Sequence, residues 1–176
     1  MAQNLTSPWI LKDILTALGE FENQVKKPKK VQVLSGFDEI NVLIVHDKEI
    51  SMSVMLTHSC ADELKKSINN RPLSTLSGTI ISLVRNGWHF STVIQSAGDR
   101  PILKWTTEKK IILPLAIQCS KIKFLGASDM GTVGGSTDVH KHPEVVSSLS
   151  NITYLQLIDR LKRQFPHEQR MPDSDG

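Results

Sequence analysis

Two pairs of possible metal ligands and one glycine-rich segment have residue types that could do chemistry. His140 and His142 are separated by one residue, as are His58 and Cys60, and imidazole and thiolate groups bind zinc. Residues 131–135 have the glycine content of a phosphate-binding loop. A structural zinc site needs four ligands in paired spacings, which neither pair completes, and the glycine-rich segment neither follows a clear strand nor begins a helix. We therefore expect no metal and no cofactor.

Motifs that mark an enzyme are missing from the sequence. The chain has no Gly-x-Ser-x-Gly elbow, no glycine-rich loop ending in Lys-Ser or Lys-Thr, no dinucleotide-binding fingerprint and no His-Glu-x-x-His pair. These motifs would supply a nucleophile, a phosphate cradle, a cofactor site and a zinc site. The sequence therefore indicates a binding protein that is not an enzyme.

Basic side chains gather in two parts of the chain. The 21 Lys and Arg against 18 Asp and Glu leave a net charge of +3, too small a surplus to imply a dedicated nucleic-acid binder of the histone or arginine-rich kind. Each cluster could have a function, as a phosphate track or a nuclear import signal. Alternatively, each is a run of solvated charges on the surface. The first cluster is Lys26, Lys27, Lys29 and Lys30, and the second is Arg160, Lys162 and Arg163.

Length and composition predict one globular domain. The chain has 176 residues, of which 39% are apolar, enough for one core of ordinary size. No apolar run approaches a membrane span, and residues 1–8 lack the features of a signal peptide, so we expect no membrane partner and a cytosolic or nuclear protein. Cys60 and Cys119 stand far apart in sequence, and we expect small buried thiols without a disulfide.

Apolar residues at helical spacing predict two helices in the first 70 residues. The first begins at Pro8-Trp9-Ile10, with Ser7 as its N-cap and Gly19 at its end. The second lies within residues 59–70 and has Ser59 as its N-cap.

The remaining signals before residue 126 are those of strands. Residues 31–57 predict three strands, or two of which one is strongly bent, with Gly36 at a bend. Asn86-Gly87 is a strong two-residue hairpin signal between two further strands. Those strands are residues 79–84 and 88–95, and a last β segment covers residues 111–125.

The order β-β-β-α-β-β predicts an all-β barrel core with flanking helices. A doubly wound parallel sheet is excluded because strands and helices do not alternate. The glycine bend and the strand order match the oligonucleotide/oligosaccharide-binding barrel, the OB-fold. We predict an OB-fold domain with an N-terminal helix over residues 1–126, a flexible linker over 127–148, a C-terminal helix over 149–165 and a disordered tail over 166–176.

Many OB-folds hold single-stranded nucleic acid on the face of their second and third strands, through stacked aromatic side chains and a basic groove. Here Phe37 is the only aromatic residue between positions 31 and 57, so stacking has no platform. Binding of a single strand remains the alternative function, with phosphates contacted by Lys26, Lys27, Lys29, Lys30, Lys65 and Lys66.

Short motifs along the chain together resemble one protein family. They are Ser7-Pro8-Trp9-Ile10 before a helix, Val45-His46-Asp47 before a turn, Ile50-Ser51-Met52-Ser53-Val54 after it, and Leu76-Ser77-Gly78-Thr79-Ile80 before the fourth strand. Between Ser7 and Gly126 the sequence resembles the Ever Shorter Telomeres protein three family, the telomerase regulatory subunits of budding yeasts. The OB domain of the animal shelterin subunit that recruits telomerase is similar.

The resemblance implies a non-catalytic subunit that acts in the nucleus, at telomeres. Such a subunit binds the N-terminal domain of telomerase reverse transcriptase and promotes telomere extension. Trp9, Asp47 and Arg71 match family positions by type, whereas the family's acidic residues after the last strand are replaced by Phe124-Leu125-Gly126. The implied protein-binding residues are Trp9, Asp47, Arg71, Thr75, Leu76 and Gly78, and the last three differ in type from the family.

These positions also have structural interpretations. Trp9 at a helix start could anchor the helix in the core, and Asp47 could accept hydrogen bonds from the turn that follows it. Arg71, in a loop, is the better candidate for a direct contact. Besides the telomerase subunit and the single-strand binder, a third hypothesis for the function is a small structural adaptor that docks through its C-terminal helix.

Overall fold

The computed structural model describes residues 7–19, 27–92, 105–107, 110–112, 115–127 and 135–164. Over these ranges the helices are α1 (Ile10–Leu18), α2 (His58–Ser67), α3 (Pro143–Ser150) and α4 (Tyr154–Lys162), with two 3₁₀ turns at Leu73–Leu76 and Val139–Lys141. The strands are β1 (Lys29–Phe37), β2 (Val42–His46), β3 (Ile50–Leu56), β4 (Thr79–Leu83), β5 (Trp88–Thr92), β6 (Trp105–Thr107), β7 (Lys110–Ile112), β8 (Leu115–Cys119), β9 (Ile122–Ala127) and β10 (Thr137–Asp138).

The main sheet follows the path β5-β8-β3-β2-β1-β4-β9. Strands β1, β2 and β3 form an antiparallel meander, β3 pairs with β8 in parallel, and β4 pairs antiparallel with β1 and β9. Strand β8 lies near one end of this path and β9 at the other, and only Ser120 and Lys121 separate them in sequence. This short connection brings the two ends of the sheet together. This topology confirms the prediction of an OB-type β core with flanking helices.

Strand β1 is shared between two neighbours because it bends. Its first half pairs with β4 and its second half with β2, and the register shifts between Val33 and Ser35. Gly36 lies next to this shift, where a side-chain Cβ would come within 2.5 Å of the carbonyl oxygen of Leu73. The predicted bend therefore exists, and a glycine is needed there because the 3₁₀ turn after α2 packs directly on the β1 backbone.

The predicted hairpin at Asn86-Gly87 is wrong. Strands β4 and β5 do not pair with each other. Strand β4 pairs with β9, where Leu83 faces Ile122, and β5 pairs with β8, where Trp88 faces Cys119. A type I′ turn needs a positive φ at both central residues, but only Asn86 has one, at 58°. The turn therefore makes a local kink in a continuing strand.

Within the predicted linker over residues 127–148, the described residues include strand β10, a 3₁₀ turn and the start of α3. Strand β10 pairs in parallel with β3, and α3 begins at Pro143. Two polar residues of this segment are caps, because the Asp138 carboxylate accepts from the His140 amide and the His142 ring accepts from the Glu144 amide. Val139, Val145 and Leu149 are buried in the core.

The predicted helix over residues 149–165 is divided in two. Leu149 belongs to α3, and a new helix starts after Thr153, whose hydroxyl accepts from the Gln156 amide while the Gln156 side chain accepts from the Thr153 amide. This capping box starts α4 within the predicted helix. The predicted tail, residues 166–176, lies outside the described residues, and the division into domains stays a prediction.

Helix α4 is fixed to the barrel by two polar side chains. Arg160 donates to the carbonyl oxygen of Leu18 at 2.7 Å, at the end of α1. The Gln164 amide accepts from the Phe90 N–H and donates to the Phe90 carbonyl, both at 2.7 Å. Gln164 thereby pairs with β5 as a neighbouring strand would, and the C-terminal helices share the core of the barrel.

The two cysteines meet although they are far apart in sequence. Cys60 lies in the first turn of α2, whose N-cap is Thr57 and not the predicted Ser59. Cys119 lies at the end of β8, and both thiols are free and buried, as expected. A hydrogen bond with Cys60, followed by burial, raises the pKa of Cys119.

Replacing Gln164 with Ala is expected to destabilise the whole domain. The change leaves the buried N–H and carbonyl of Phe90 without their side-chain partner, which costs about 1 to 3 kcal/mol. Urea unfolding measures this loss, and Glu39→Ala in an exposed turn is the control that should unfold like the wild type. Equal midpoints for Gln164→Ala and the control would contradict this role of Gln164.

Candidate protein-interaction site

One buried carboxylate joins the β2–β3 turn to helix α1. Asp47 is 1% exposed, and its Oδ2 accepts from the backbone N–H groups of Trp9 and Ile10, each at 2.7 Å. Its Oδ1 accepts from the amides of Glu49 at 3.0 Å and Ile50 at 2.8 Å. The expected bonds to the following turn are confirmed, and the same side chain also holds a helix far away in sequence.

Asp47 does for α1 what an N-cap residue usually does. The first amides of a helix have no partner within the helix, and a carboxylate satisfies them and interacts favourably with the helix dipole. The N-cap position is Trp9, which makes no capping bond with its side chain, so the prediction of Ser7 as the N-cap is wrong. Capping comes from another element because the tight turn after β2 aims the Asp47 carboxylate at α1.

Trp9 is buried and is bonded at both its backbone and its side chain. Its indole N–H donates to the Lys30 carbonyl at 3.0 Å, and its ring meets Trp88 edge to face with centroids 5.1 Å apart. Trp88 in turn meets Phe90 at 5.5 Å. Such edge-to-face pairs add about 0.5 to 1.5 kcal/mol to area burial. Trp9 and Asp47 are therefore parts of one unit that fixes α1 on the barrel.

A buried polar chain runs from the Asp47 turn to the loop before β4. The Lys48 amide donates to Nδ1 of His46, so the proton of the ring is on Nε2, which donates to Oε1 of Gln32 at 2.7 Å. The Gln32 amide then donates to the Gly78 carbonyl at 3.1 Å. Burial lowers the pKa of His46 although the charge of Asp47 opposes this, so the ring is neutral near pH 7.

The segment between α2 and β4, residues 71–78, contains the other four predicted contact residues. Arg71 and Thr75 are exposed, Gly78 is partly buried, and Leu76 lies in the core. Leu76 is buried because residues three apart share a face of a 3₁₀ turn, and Leu73 and Leu76 both face inward. Gly78 has a φ of 89°, which favours glycine. The prediction of Leu76 at the contact surface is therefore corrected.

Of the six predicted protein-binding residues, the structure thus brings Trp9 and Asp47 together below the surface. It leaves Arg71 and Thr75 available to a partner. The Arg71 Nε donates to the Ile68 carbonyl at 2.9 Å, which holds the stem of this side chain against the end of α2.

The lysines of the alternative site do not form one basic track over the described ranges, and Lys26 lies outside them. Lys29 pairs with Asp13 at 3.6 Å, and its Nζ also lies 5.4 Å from the centre of the Trp9 ring. Lys65 pairs with Asp38 at 3.1 Å and Lys66 with Glu63 at 4.0 Å, whereas Lys27 is exposed and Lys30 is partly buried. Lys29 begins β1 and Asp38 directly follows its end, about 30 Å away along the strand.

An open groove of about 480 Å³ lies between the start of α1 and the start of β1. Trp9, Lys12, Asp13, Lys29 and Lys30 contribute to its lining. Because Asp13 and Lys29 pair across it, the groove carries mixed charge, which is a weak basis for phosphate binding.

Among the described residues, no group of three or more His, Cys, Asp or Glu side chains is placed to hold a metal ion. None of the described helices has the length and apolar character that a membrane span needs.

Fold and site together define an OB-type barrel whose buried polar residues brace an exposed loop. No family model matches the sequence, and no curated protein matches it. The solved structure of the Est3 telomerase subunit of the yeast Hansenula polymorpha is similar, with a TM-score of 0.51 over 99% of this chain and 92% of that chain. The two sequences are 14% identical, so the likeness shows the fold.

Three structurally important residues were not predicted from the sequence: Gln32 and Asp38, which bind the loop before β4, and Gln164, which binds β5. Asp38 follows β1 directly and begins a tight turn, and that position is a recognisable signal for a side chain that caps backbone amides. Gln32 and Gln164 carry no local signal, because their partners are far away in sequence.

Replacing Asp47 with Ala is expected to cost about 3 kcal/mol, because four amides lose a charged acceptor. Hydrogen exchange at Trp9 and Ile10 should accelerate more than exchange elsewhere in the barrel. Ser7→Ala is the control and should be neutral, because Ser7 does not cap α1. An Asp47→Ala protein with unchanged stability would show that the carboxylate does not hold α1.

Stability is expected to fall as the pH drops below about 6.5, the ordinary pKa of histidine. The unfolded chain binds a proton at His46 in this range, whereas the folded chain resists it, so acid favours the unfolded state. Urea unfolding at several pH values should give a smaller slope for His46→Gln, measured against its own stability at pH 7.5. His58→Gln is the matched control, because His58 is exposed and lies outside the buried polar chain. The same slope in both variants would argue against His46 as the source.

Proposed function

We propose that this chain is a non-catalytic telomerase regulatory subunit that binds the N-terminal domain of telomerase reverse transcriptase. The observation that carries the proposal is the fold likeness to Est3 over nearly the whole length of both chains. Est3 is the short form of Ever Shorter Telomeres protein three, the family that the sequence motifs resemble independently of the structure. On this proposal the protein acts in the nucleus, at telomeres, and promotes telomere extension.

The chemistry of the region supports binding rather than catalysis. Among the described residues, Asp47 and His46 are the buried members of the Asp, Glu and His types, and hydrogen bonds occupy both of them. A general acid or base must reach the proton that it transfers, and these side chains face backbone amides and Gln32 instead.

We place the partner contact on the segment of residues 71–78. Arg71 and Thr75 are its exposed members from the predicted set, and arginine is common among the residues that dominate the energy of protein interfaces. Trp9, Asp47, Leu76 and Gly78 support the contact indirectly, by fixing α1 and the loop. A substitution at one of these four would reduce partner binding through the folded shape of the surface.

The alternative function, binding of single-stranded nucleic acid, has less support. Lys29, Lys65 and Lys66 are each paired with a carboxylate, which reduces their attraction for phosphates. Titration of a labelled G-rich oligonucleotide at two salt concentrations separates the functions, because phosphate contacts produce a steep salt dependence. Micromolar affinity with that dependence would favour the alternative.

The adaptor hypothesis also has less support, because Leu157 and Leu161 of the C-terminal helix are buried within this chain. Leu155 is the exposed apolar residue of α4, at 76%. Under the adaptor hypothesis Leu155→Ser would abolish partner binding, whereas we expect it to have no effect.

Replacing Arg71 with Ala is expected to weaken binding to the N-terminal domain of the matching reverse transcriptase about tenfold, or about 1.4 kcal/mol. The melting temperature should not change, because the side chain is exposed. Lys66→Ala is the matched control, since it removes one positive charge from a neighbouring exposed position. Calorimetry at near-physiological salt measures both, and failure of the wild-type protein to bind would disprove the proposed function.

A further inference from the structure

The proposed contact loop lies directly on strand β1 and is attached to it at successive residues. The Gly78 amide donates to the Val33 carbonyl at 2.7 Å, and the Ser77 hydroxyl donates to the Leu34 carbonyl at 2.9 Å. At Gly36 the backbone of Leu73 approaches so closely that any side chain on Gly36 would collide with it. Leu73, Ser77 and Gly78 are thus held against β1 by backbone, hydroxyl and glycine contacts.

One side chain from outside the loop binds the start of its 3₁₀ turn. Asp38, which follows β1, accepts from the Leu73 amide with both oxygens, Oδ1 at 2.9 Å and Oδ2 at 3.1 Å. Lys65 of α2 lies 3.1 Å from Oδ1. Asp38 therefore connects the end of β1, the last part of α2 and the first amide of the 3₁₀ turn.

Ionisation of Asp38 agrees with this geometry. Burial raises the pKa of Asp38, whereas the amides of Leu73 and Ser74 and the ammonium group of Lys65 lower it. The lowering effects together are larger, so the net pKa is lowered. The side chain is thus a carboxylate at neutral pH, with both oxygens able to accept.

We propose that Asp38 is a positioning residue for partner binding, which fixes the turn at Leu73–Leu76 so that Arg71 and Thr75 face the partner in one arrangement. The proposal rests on the proposed function of the loop. Arg71 and Pro72 lie between α2 and the turn, and the preceding Asn69 and Asn70 have left-handed φ values of 59° and 60°. Arg71 is bonded to the Ile68 carbonyl through its backbone amide at 3.2 Å and its Nε at 2.9 Å, which holds it to the end of α2. The Leu73 amide bond to Asp38 fixes the other side of Arg71 and Pro72 relative to β1.

The effect on affinity follows from the ordering of the loop. If the turn is free, binding must order it first, and part of the interaction energy is lost to that ordering. Asp38→Ala should therefore weaken binding to the reverse transcriptase domain about tenfold, although Arg71 and Thr75 are unchanged.

Two further variants separate positioning from other roles. Asp38→Asn keeps an oxygen that accepts from the Leu73 amide, so it should restore affinity to within about threefold of wild type. Lys65→Ala removes the ion pair but leaves both bonds to Leu73, so it should change affinity less than about twofold. If Asp38→Asn binds as poorly as Asp38→Ala, the carboxylate charge contacts the partner directly and the proposal is wrong.

Hydrogen exchange of the unbound protein gives a test that does not need the partner. In Asp38→Ala the amides of Leu73 and Ser74 should exchange at least about tenfold faster, while the amides of β3 keep their wild-type rates. Unchanged exchange at Leu73 would overturn the proposal, as would faster exchange throughout the barrel. If the wild-type protein does not bind the reverse transcriptase domain at all, the proposed function fails, and this exchange result alone decides whether Asp38 positions the loop.

Discussion

The attachment of helix α1 to the barrel depends on the carboxylate of Asp47. It accepts four backbone hydrogen bonds, two from its own turn and two from the start of α1. Helix α1 has only nine residues, a length at which an isolated helix is marginal in water, so it needs contacts from outside. Asp47 supplies the polar contact, and Trp9, held by the same carboxylate, supplies the apolar one.

A second aspartate, at the other end of β2, also accepts hydrogen bonds from backbone amides. Asp38 lies in the turn before β2 and Asp47 in the turn after it, and each accepts from the amides that begin a helical segment. The chain from His46 through Gln32 to Gly78 runs between the two regions inside the sheet. The exposed loop at Arg71 is thus braced from β1 and β2, which are both central strands of the barrel.

Much of the fold could be predicted from sequence, because alternating apolar residues and a helix after the third strand are local signals. Trp9 and Asp47 could be named, but their hydrogen bond could not, since the two residues are 38 positions apart. The hairpin predicted at Asn86-Gly87 was wrong for the same reason, because β4 and β5 pair with β9 and β8, which lie far along the chain. The linker predicted over residues 127–148 rests on composition, and composition does not separate a capping residue such as Asp138 or His142 from a linker residue.

The pairing of Gln164 with Phe90 also bears on how copies of this protein behave toward one another. An edge strand offers unpaired N–H and carbonyl groups to any other extended chain, and proteins cover such edges to avoid aggregation. Strand β5 is at one end of the sheet path, and the Gln164 amide occupies both groups of its central residue. Gln164, which follows α4, therefore blocks the addition of a strand from a second molecule at Phe90, because it already binds the N–H and carbonyl groups that such a strand would use.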